Sequence, residues 1–430
     1  MRRFLAILAA LLAVLAPLAN AEPYLRVHED DDTGRVSLQV ASRTFRRGIN
    51  EPTITLVGAA HVGDPSFYQA LQAELDAHDL VLFEGVGPLW ACIGGDASAQ
   101  VKADATRERI RTLAIAIEQR RRAGQETKTL ADVLTGAGYE DRLLRVASSD
   151  AWGNALRYQL HDDVFDLTSL GADGKPGGQS NNADITFSEL PPILDAELES
   201  GEGIQAQLAK AGGMVFQLDA IDYDKPNWRN SDTTAEALSY ALSGLDPKNA
   251  RPGDGSPMVG GGGQPLFDLM RGEGFMGKLA GGLLKLLGSN PKSSAFLRIM
   301  LIETMAQADD LMGLAGDVEG LEKMMNVLLA QRNEVVLADI RDAIREDSTK
   351  QGEEPGSIAV FYGAGHLPEM EASLAEMGFQ PVDTDWFDAI EVDPAKAGMS
   401  REQLHATRAI IANMLAAQAQ MLKQQPEGKD

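Results

Sequence analysis

The sequence predicts a mixed α/β fold: a central sheet built on two strand-loop-helix units, with a large, mainly helical insertion between them. Three observations predict it. The short apolar runs "TITLV" from Thr53, "LVLF" from Leu80 and "SIAVFY" from Ser357 read as strands buried on both faces. Two of these runs lead into the same device, Gly58-Ala59-Ala60-His61 and Gly363-Ala364-Gly365-His366, followed by an amphipathic helix with a proline near its start. Between the units, from about Lys102 to Asp347, the pattern is mostly helical.

The elements follow in order. Residues 1–21 carry Arg2 and Arg3, an apolar stretch from Phe4 to Leu15 and the small-residue pattern Ala19-Asn20-Ala21, a secretory signal with a cleavage site near Ala21/Glu22. The apolar run is shorter than the roughly 20 residues a membrane span needs, so the mature chain is expected to be exported, periplasmic or secreted, without a stable span. "PYLRVHEDDDTGRVSLQVASRTF" reads as a hairpin around an Asp-Thr-Gly turn. "DPSFYQALQAELDAHD" is helical, with Phe67, Leu71 and Leu75 four apart. Strand, helix and strand together make a βαβ unit that ends at Glu84.

These elements and their repeat near the C-terminus divide the chain. Residues 22–145 and 326–395 form one discontinuous α/β core. Residues 146–325 form a mainly helical insertion, broken by "SLGADGKPGGQSNNAD" and "GLDPKNARPGDGSPMVGGGGQP", which read as mobile loops. "LFDLMRGEGFMGKLAGGLLKLLG" is apolar, but its five charged residues make it a pair of core-packing helices rather than a span. Residues 396–430 form an amphipathic helix and a polar tail, with Ser400 and Gln403 as a capping box.

Composition narrows the partners. The chain of 430 residues has a formal charge of -24, and loss of Arg2 and Arg3 with the leader makes it -26. Such an acidic protein repels phosphate backbones, which counts against nucleic acid. Cys92 is the only cysteine, so no intrachain disulfide forms, and it reads as a small buried apolar residue rather than a nucleophile.

In parallel α/β sheets ligands collect beyond the carboxyl ends of the strands. His61, Glu84 and His366 all fall at such ends and are predicted to share one site. Two imidazoles and a carboxylate suit a divalent transition metal, which would activate a water for hydrolysis. Gly58, Gly363 and Gly365 would let the backbone turn sharply and a ligand approach. His28, His78, His161 and His405 lack this setting. No Gly-x-Ser-x-Gly elbow, His-Glu-x-x-His helix or phosphate-binding loop occurs.

"LVGAAHVGDPSFY", "DLVLFEGV" and "VFYGAGHLPEMEASLAEMGFQPV" together resemble the TraB/PrgY/GumN family, which includes the TIKI metal-dependent proteases. The resemblance covers Thr53 to Val86 and Asn326 to Val382. It implies a core of the erythromycin-esterase and ChaN-like kind and an exported metal-dependent hydrolase acting on a peptide or protein substrate. It implies His61, His366 and Glu84 as metal ligands, Glu84 also as a proton acceptor, and manganese or cobalt rather than zinc. Arg332-Asn333 matches a pair the family carries, with Arg332 a catalytic candidate that could neutralise Glu84 or bind a carboxylate. Asp222 and Tyr223 are candidate lining residues. The alternative is a non-catalytic module of the same fold that binds haem, metal or a partner.

Overall fold

The structure is a computed structural model that describes residues 23–198, 204–252, 290–306, 326–348 and 356–423. The expected leader, the stretch 266–288 and the polar tail lie outside the described residues.

A seven-stranded mixed sheet forms the body. Strands β1 (Leu25–Glu29) and β2 (Val36–Arg46) make the expected antiparallel hairpin. After β3 (Thr53–Ala59), the two-residue strand β4 (Val62–Gly63), which pairs with β9 (Val215–Phe216), and helix α1 (Pro65–Asp76), the chain returns as β5 (Leu80–Phe83). Strand β11 (Ser357–Gly363) lies between β3 and β5 and is parallel to both. This central place explains its sequence: a strand covered on both faces needs apolar residues at successive positions, and Ile358 to Tyr362 are all buried.

The two repeated units are therefore neighbours, with Gly58 opposite Tyr362 and Ala59 opposite Gly363. Strand β10 (Trp228–Asn230) joins β5 in parallel, whereas β2 runs antiparallel to β3 and pairs on its other side with β12 (Gln380–Val392). Helix α1 buries Phe67, Tyr68, Leu71 and Leu75, the face its spacing predicts.

The chain between β5 and β10 departs from the mainly helical expectation. Helix α2 (Ala99–Arg122) and helix α3 (Tyr139–Ala147) pack against a separate antiparallel sheet of β6 (Arg157–His161), β7 (Val164–Ser169) and β8 (Ile185–Thr186). This unit has its own apolar core, including Ile110, Leu113, Ile117, Phe165 and Leu167. β7 alternates buried Phe165, Leu167 and Ser169 with less buried partners, a period of two that is short enough to hide beside a 24-residue helix. A parallel bridge from Gly87 to Thr234 closes the base of the insertion.

The first Gly-rich loop is internally bonded rather than an open tether. The amide of Ala172 donates to Asn181 O at 2.9 Å, that of Gly177 to Asp184 Oδ2 at 2.9 Å, and Asn154 Nδ2 to Gly171 O at 2.9 Å. Gly171, Gly174, Gly177 and Gly178 have φ of 66°, 65°, 84° and 104°, so the glycines are there for left-handed backbone.

Helices α4 (Ile204–Gly212), α5 (Ala235–Leu242), α6 (Pro291–Ala306), α7 (Ala330–Ser348), α8 (Leu367–Glu376) and α9 (Arg401–Lys423) are the other helices longer than one turn among the described residues. The predicted capping box starts α9, with the amide of Ser400 donating to Gln403 Oε1 at 2.8 Å and that of Gln403 to Ser400 Oγ at 3.2 Å. The helix docks through Leu404 and Ile411, both buried. Among the described residues no helix is long and apolar enough to cross a membrane.

Candidate functional site

The carboxyl ends of β3, β11, β5 and β10 lie along one edge of the sheet, and the loops that leave them converge there. β3 delivers His61, β5 delivers Glu84, β11 delivers His366 and β10 delivers Asp232. Helix α7 crosses this edge and brings in Arg332 and Asn333.

Arg332 is the centre of the cluster. Its Nη2 donates to Glu84 Oε1 at 2.5 Å and to Asp232 Oδ2 at 2.6 Å, and its Nε to Asp232 Oδ1 at 2.9 Å. Only 8% of its side chain is exposed, against 11% for Glu84 and none for Asp232. The second oxygen of Glu84 accepts the Gly363 amide at 2.6 Å. Burial alone would raise the Glu84 pKa, but the Arg332 guanidinium, with the nearby His366 and His61, overrides it and holds the carboxyl well below the usual range.

His366 is fixed by a relay. Asn333 Nδ2 donates to Glu369 Oε2 at 2.6 Å, which turns the amide oxygen toward His366 Nδ1 at 2.7 Å. Nδ1 therefore carries the proton, and Nε2 faces Arg332 Nη1 at 3.5 Å as an acceptor. Burial of this ring, with Arg332 beside it, pushes its pKa down to about 3.

His61 completes the set differently. Its side chain is exposed, although the protein packed around it still lowers its pKa through desolvation. Its loop is clamped by Tyr68 Oη donating to Ala60 O at 2.6 Å and by the Gln217 amide donating to His61 O at 2.9 Å. His61 is thus the exposed member of the set, while Glu84, Arg332 and His366 have little exposed side-chain surface.

The remaining candidates fall elsewhere. Tyr223 is fully buried, packs against Phe83, Tyr139 and Trp228, and accepts from Gln217 Nε2 at 3.1 Å, so it is core. Asp222 faces Lys225 near the surface, 3.6 Å away. Gly363 lies within the cluster, where an added Cβ would come 3.2 Å from Glu84 Oε2, and Gly365 is buried in the turn after it.

Gly58 faces β2 instead: a Cβ there would sit 2.4 Å from Val40 Cγ1 and 2.9 Å from Ala41 O. Gly58→Ala is accordingly expected to cost about 1–3 kcal/mol through overpacking, read as a lower urea midpoint. Asp232 and Glu369 were missed by the sequence reading. "RNSDTT" offers no motif, and only the parallel pairing of β10 with β5 brings Asp232 to this edge.

The donors do not suit a metal as they are arranged. Both oxygens of Glu84 are engaged, and the cation beside them is a guanidinium. Among the described residues no group of three His, Cys, Asp or Glu side chains is placed to hold an ion.

Known proteins point to a different part of the chain. Residues 97–188 are similar to protein G of the type II secretion system, the family whose sequence profile matches there. Core protein G of Xanthomonas campestris is 36% identical over 94 residues, which covers 20% of this chain and 66% of that protein. Core protein G of Pseudomonas aeruginosa is 48% identical over 48 residues, 11% of this chain and 34% of that protein. The chain therefore spans just under two thirds of the first relative and about a third of the second. No solved structure matches.

This similarity corrects the expected TraB/PrgY/GumN membership. The exported metal-dependent hydrolase, its peptide substrate and the haem- or metal-binding alternative are corrected with it. The physical reason lies in the motifs: a glycine loop and a polar residue after a buried parallel strand are what any such sheet edge requires, and here they build an ion-pair cluster. The erythromycin-esterase and ChaN-like description loses its support as well.

Proposed function

We propose that this chain is a cell-envelope protein that associates with a type II secretion system through its inserted unit, while the α/β body is carried alongside. One observation carries the reading: the matched residues, 97–188, coincide with the unit that has its own sheet and its own apolar core. A similarity that follows a packing boundary marks a module able to keep its surface on a new host fold.

Charge supports the same division. Residues 97–188 hold 12 Lys and Arg against 13 Asp and Glu, a net of -1, so -23 of the chain's -24 lies outside the unit. The unit is the part that can approach another acidic protein with least repulsion. Export through the signal read at residues 1–21 would bring the chain to the envelope.

Within the body, His61, Glu84, Arg332 and His366 are the proposed ligand-facing set. His61 is the contact residue, and the ion pairs hold the sheet edge behind it.

The test is direct binding. Immobilised Xanthomonas campestris core protein G should capture the purified mature chain saturably, and a charge-matched acidic control protein should not bind. Absence of saturable binding at the highest soluble concentration would reject the reading.

A further inference from the structure

The inserted unit is held to the body on one side only. On the helix side, Arg142 of α3 donates to Tyr223 O and, at 3.3 Å, to Trp228 O of the body. Arg111 grips Glu197 of the returning chain at 2.7 Å. Tyr139 Oη donates to Gly85 O at 3.1 Å, and its ring packs on Phe83 and Tyr223 of the body. Helix α3 thus belongs to both cores, with Tyr139 in one and Leu144 and Ala147 against the other. The sheet side has no such cover among the described residues. Of the two edge strands, β8 is two residues long and lies against α2, whereas along β6 Arg157, Gln159 and His161 are exposed, and Val164 beyond the turn is 72% exposed.

A subunit that extends an assembly head to tail needs two different free faces, one for each neighbour. We infer that this unit offers only one, the outer face and free edge of β6, and that its occupant is a protein G subunit, so the chain ends an assembly rather than extending it. The inference rests on the proposed docking to the secretion system. The occupant follows from the unit's own similarity to protein G. The exposed polar row and unpaired strand edge fit a subunit that supplies backbone and polar contacts, since an edge strand presents unpaired amides and carbonyls. The body, with a charge of -25 once the leader and its two arginines are lost, keeps a second acidic copy of this chain from taking the same place.

The test uses the full mature chain and purified Xanthomonas campestris core protein G, at concentrations where protein G alone sediments as a monomer. Sedimentation should show saturation at one protein G per chain. A photoreactive side chain at Gln159 should crosslink to protein G, and one at Ile49, 90% exposed on the body, should not. Arg157→Glu combined with Gln159→Glu should raise Kd at least tenfold, and unchanged circular dichroism would show that the unit remains folded. A second protein G bound per chain, equal crosslinking from Ile49, or an unaltered Kd in the double variant would overturn the one-face inference and leave docking standing. No complex by any readout would overturn both.

Discussion

Arg332→Met is expected to destabilise the protein by about 3–5 kcal/mol, the cost of leaving buried carboxylates without their cation. Among the described residues Arg332 is the only guanidinium that binds both Glu84 and Asp232, and Asp232 has no exposed side-chain surface. The amides of Gly363, Gly85 and Thr233 would remain as donors to the two acids, but amides supply no charge. Methionine fills similar volume, so the loss reports on charge more than on a cavity. Arg332→Lys should retain part of the stability, because an ammonium keeps the charge but has no planar fork to span two carboxylates. The check is urea unfolding at pH 7, with the change read from the midpoint at constant m. A loss below about 1 kcal/mol would mean that water reaches the pair and that the cluster behaves like a surface ion pair.

Much of the body was legible because its signals are local. Apolar runs, a proline at a helix start and a Ser-x-x-Gln cap each fix an element through contacts within a few residues, and β3, α1, β5, β11 and the start of α9 follow from them. The convergence of His61, Glu84 and His366 was legible too, since parallel strands all end at one edge. What the cluster is made for was not. His61, Glu84 and His366 read equally well as metal ligands or as members of an ion-pair network until the partners of Glu84 are known. Those partners, Arg332 and the Gly363 amide, come from positions 248 and 279 residues away in the chain, and Asp232, which binds the same guanidinium, arrives through a three-residue strand.

The inserted sheet was hidden for a related reason. β6 to β8 are short, and one of their connections is a loop whose glycines serve left-handed backbone but whose composition imitates a linker. Composition reports how polar a segment is, and only its bonds show whether it is tied down. The same holds for Tyr223, whose place beside Asp222 in a compact motif suggested a cleft wall. Its aromatic neighbours Phe83, Tyr139 and Trp228 come from three separate elements and make it part of the core.

Acidification is expected to weaken the fold well before the surface carboxylates titrate, and His366 is the reason. Its pKa is held at about 3 in the folded protein, below the 6.5 of an unperturbed histidine, so the unfolded state binds the extra proton first. Stability from this group is complete above pH 6.5 and is lost as pH falls toward 3, by about 1.4 kcal/mol for each unit crossed. Glu84 acts with the same sign but later: its folded pKa is also lowered, so its contribution stands above its unperturbed 4.5 and is lost below it. Arg332 stays charged throughout. Between pH 7 and 4.5 the wild type should therefore lose about 2–3 kcal/mol through His366. An opposing effect comes from the acidic surface, because protonation lowers the repulsion behind a formal charge of -24. Comparison with His366→Gln separates the two, since the variant keeps the surface and loses the ring. Urea midpoints at pH 7.0, 5.5 and 4.5 should fall more steeply for the wild type than for the variant, and 0.5 M salt should leave that difference nearly unchanged, because the ring is buried and screening acts on exposed charges. Parallel pH profiles would place the proton elsewhere and overturn the assignment of His366 as a neutral, buried member of the cluster.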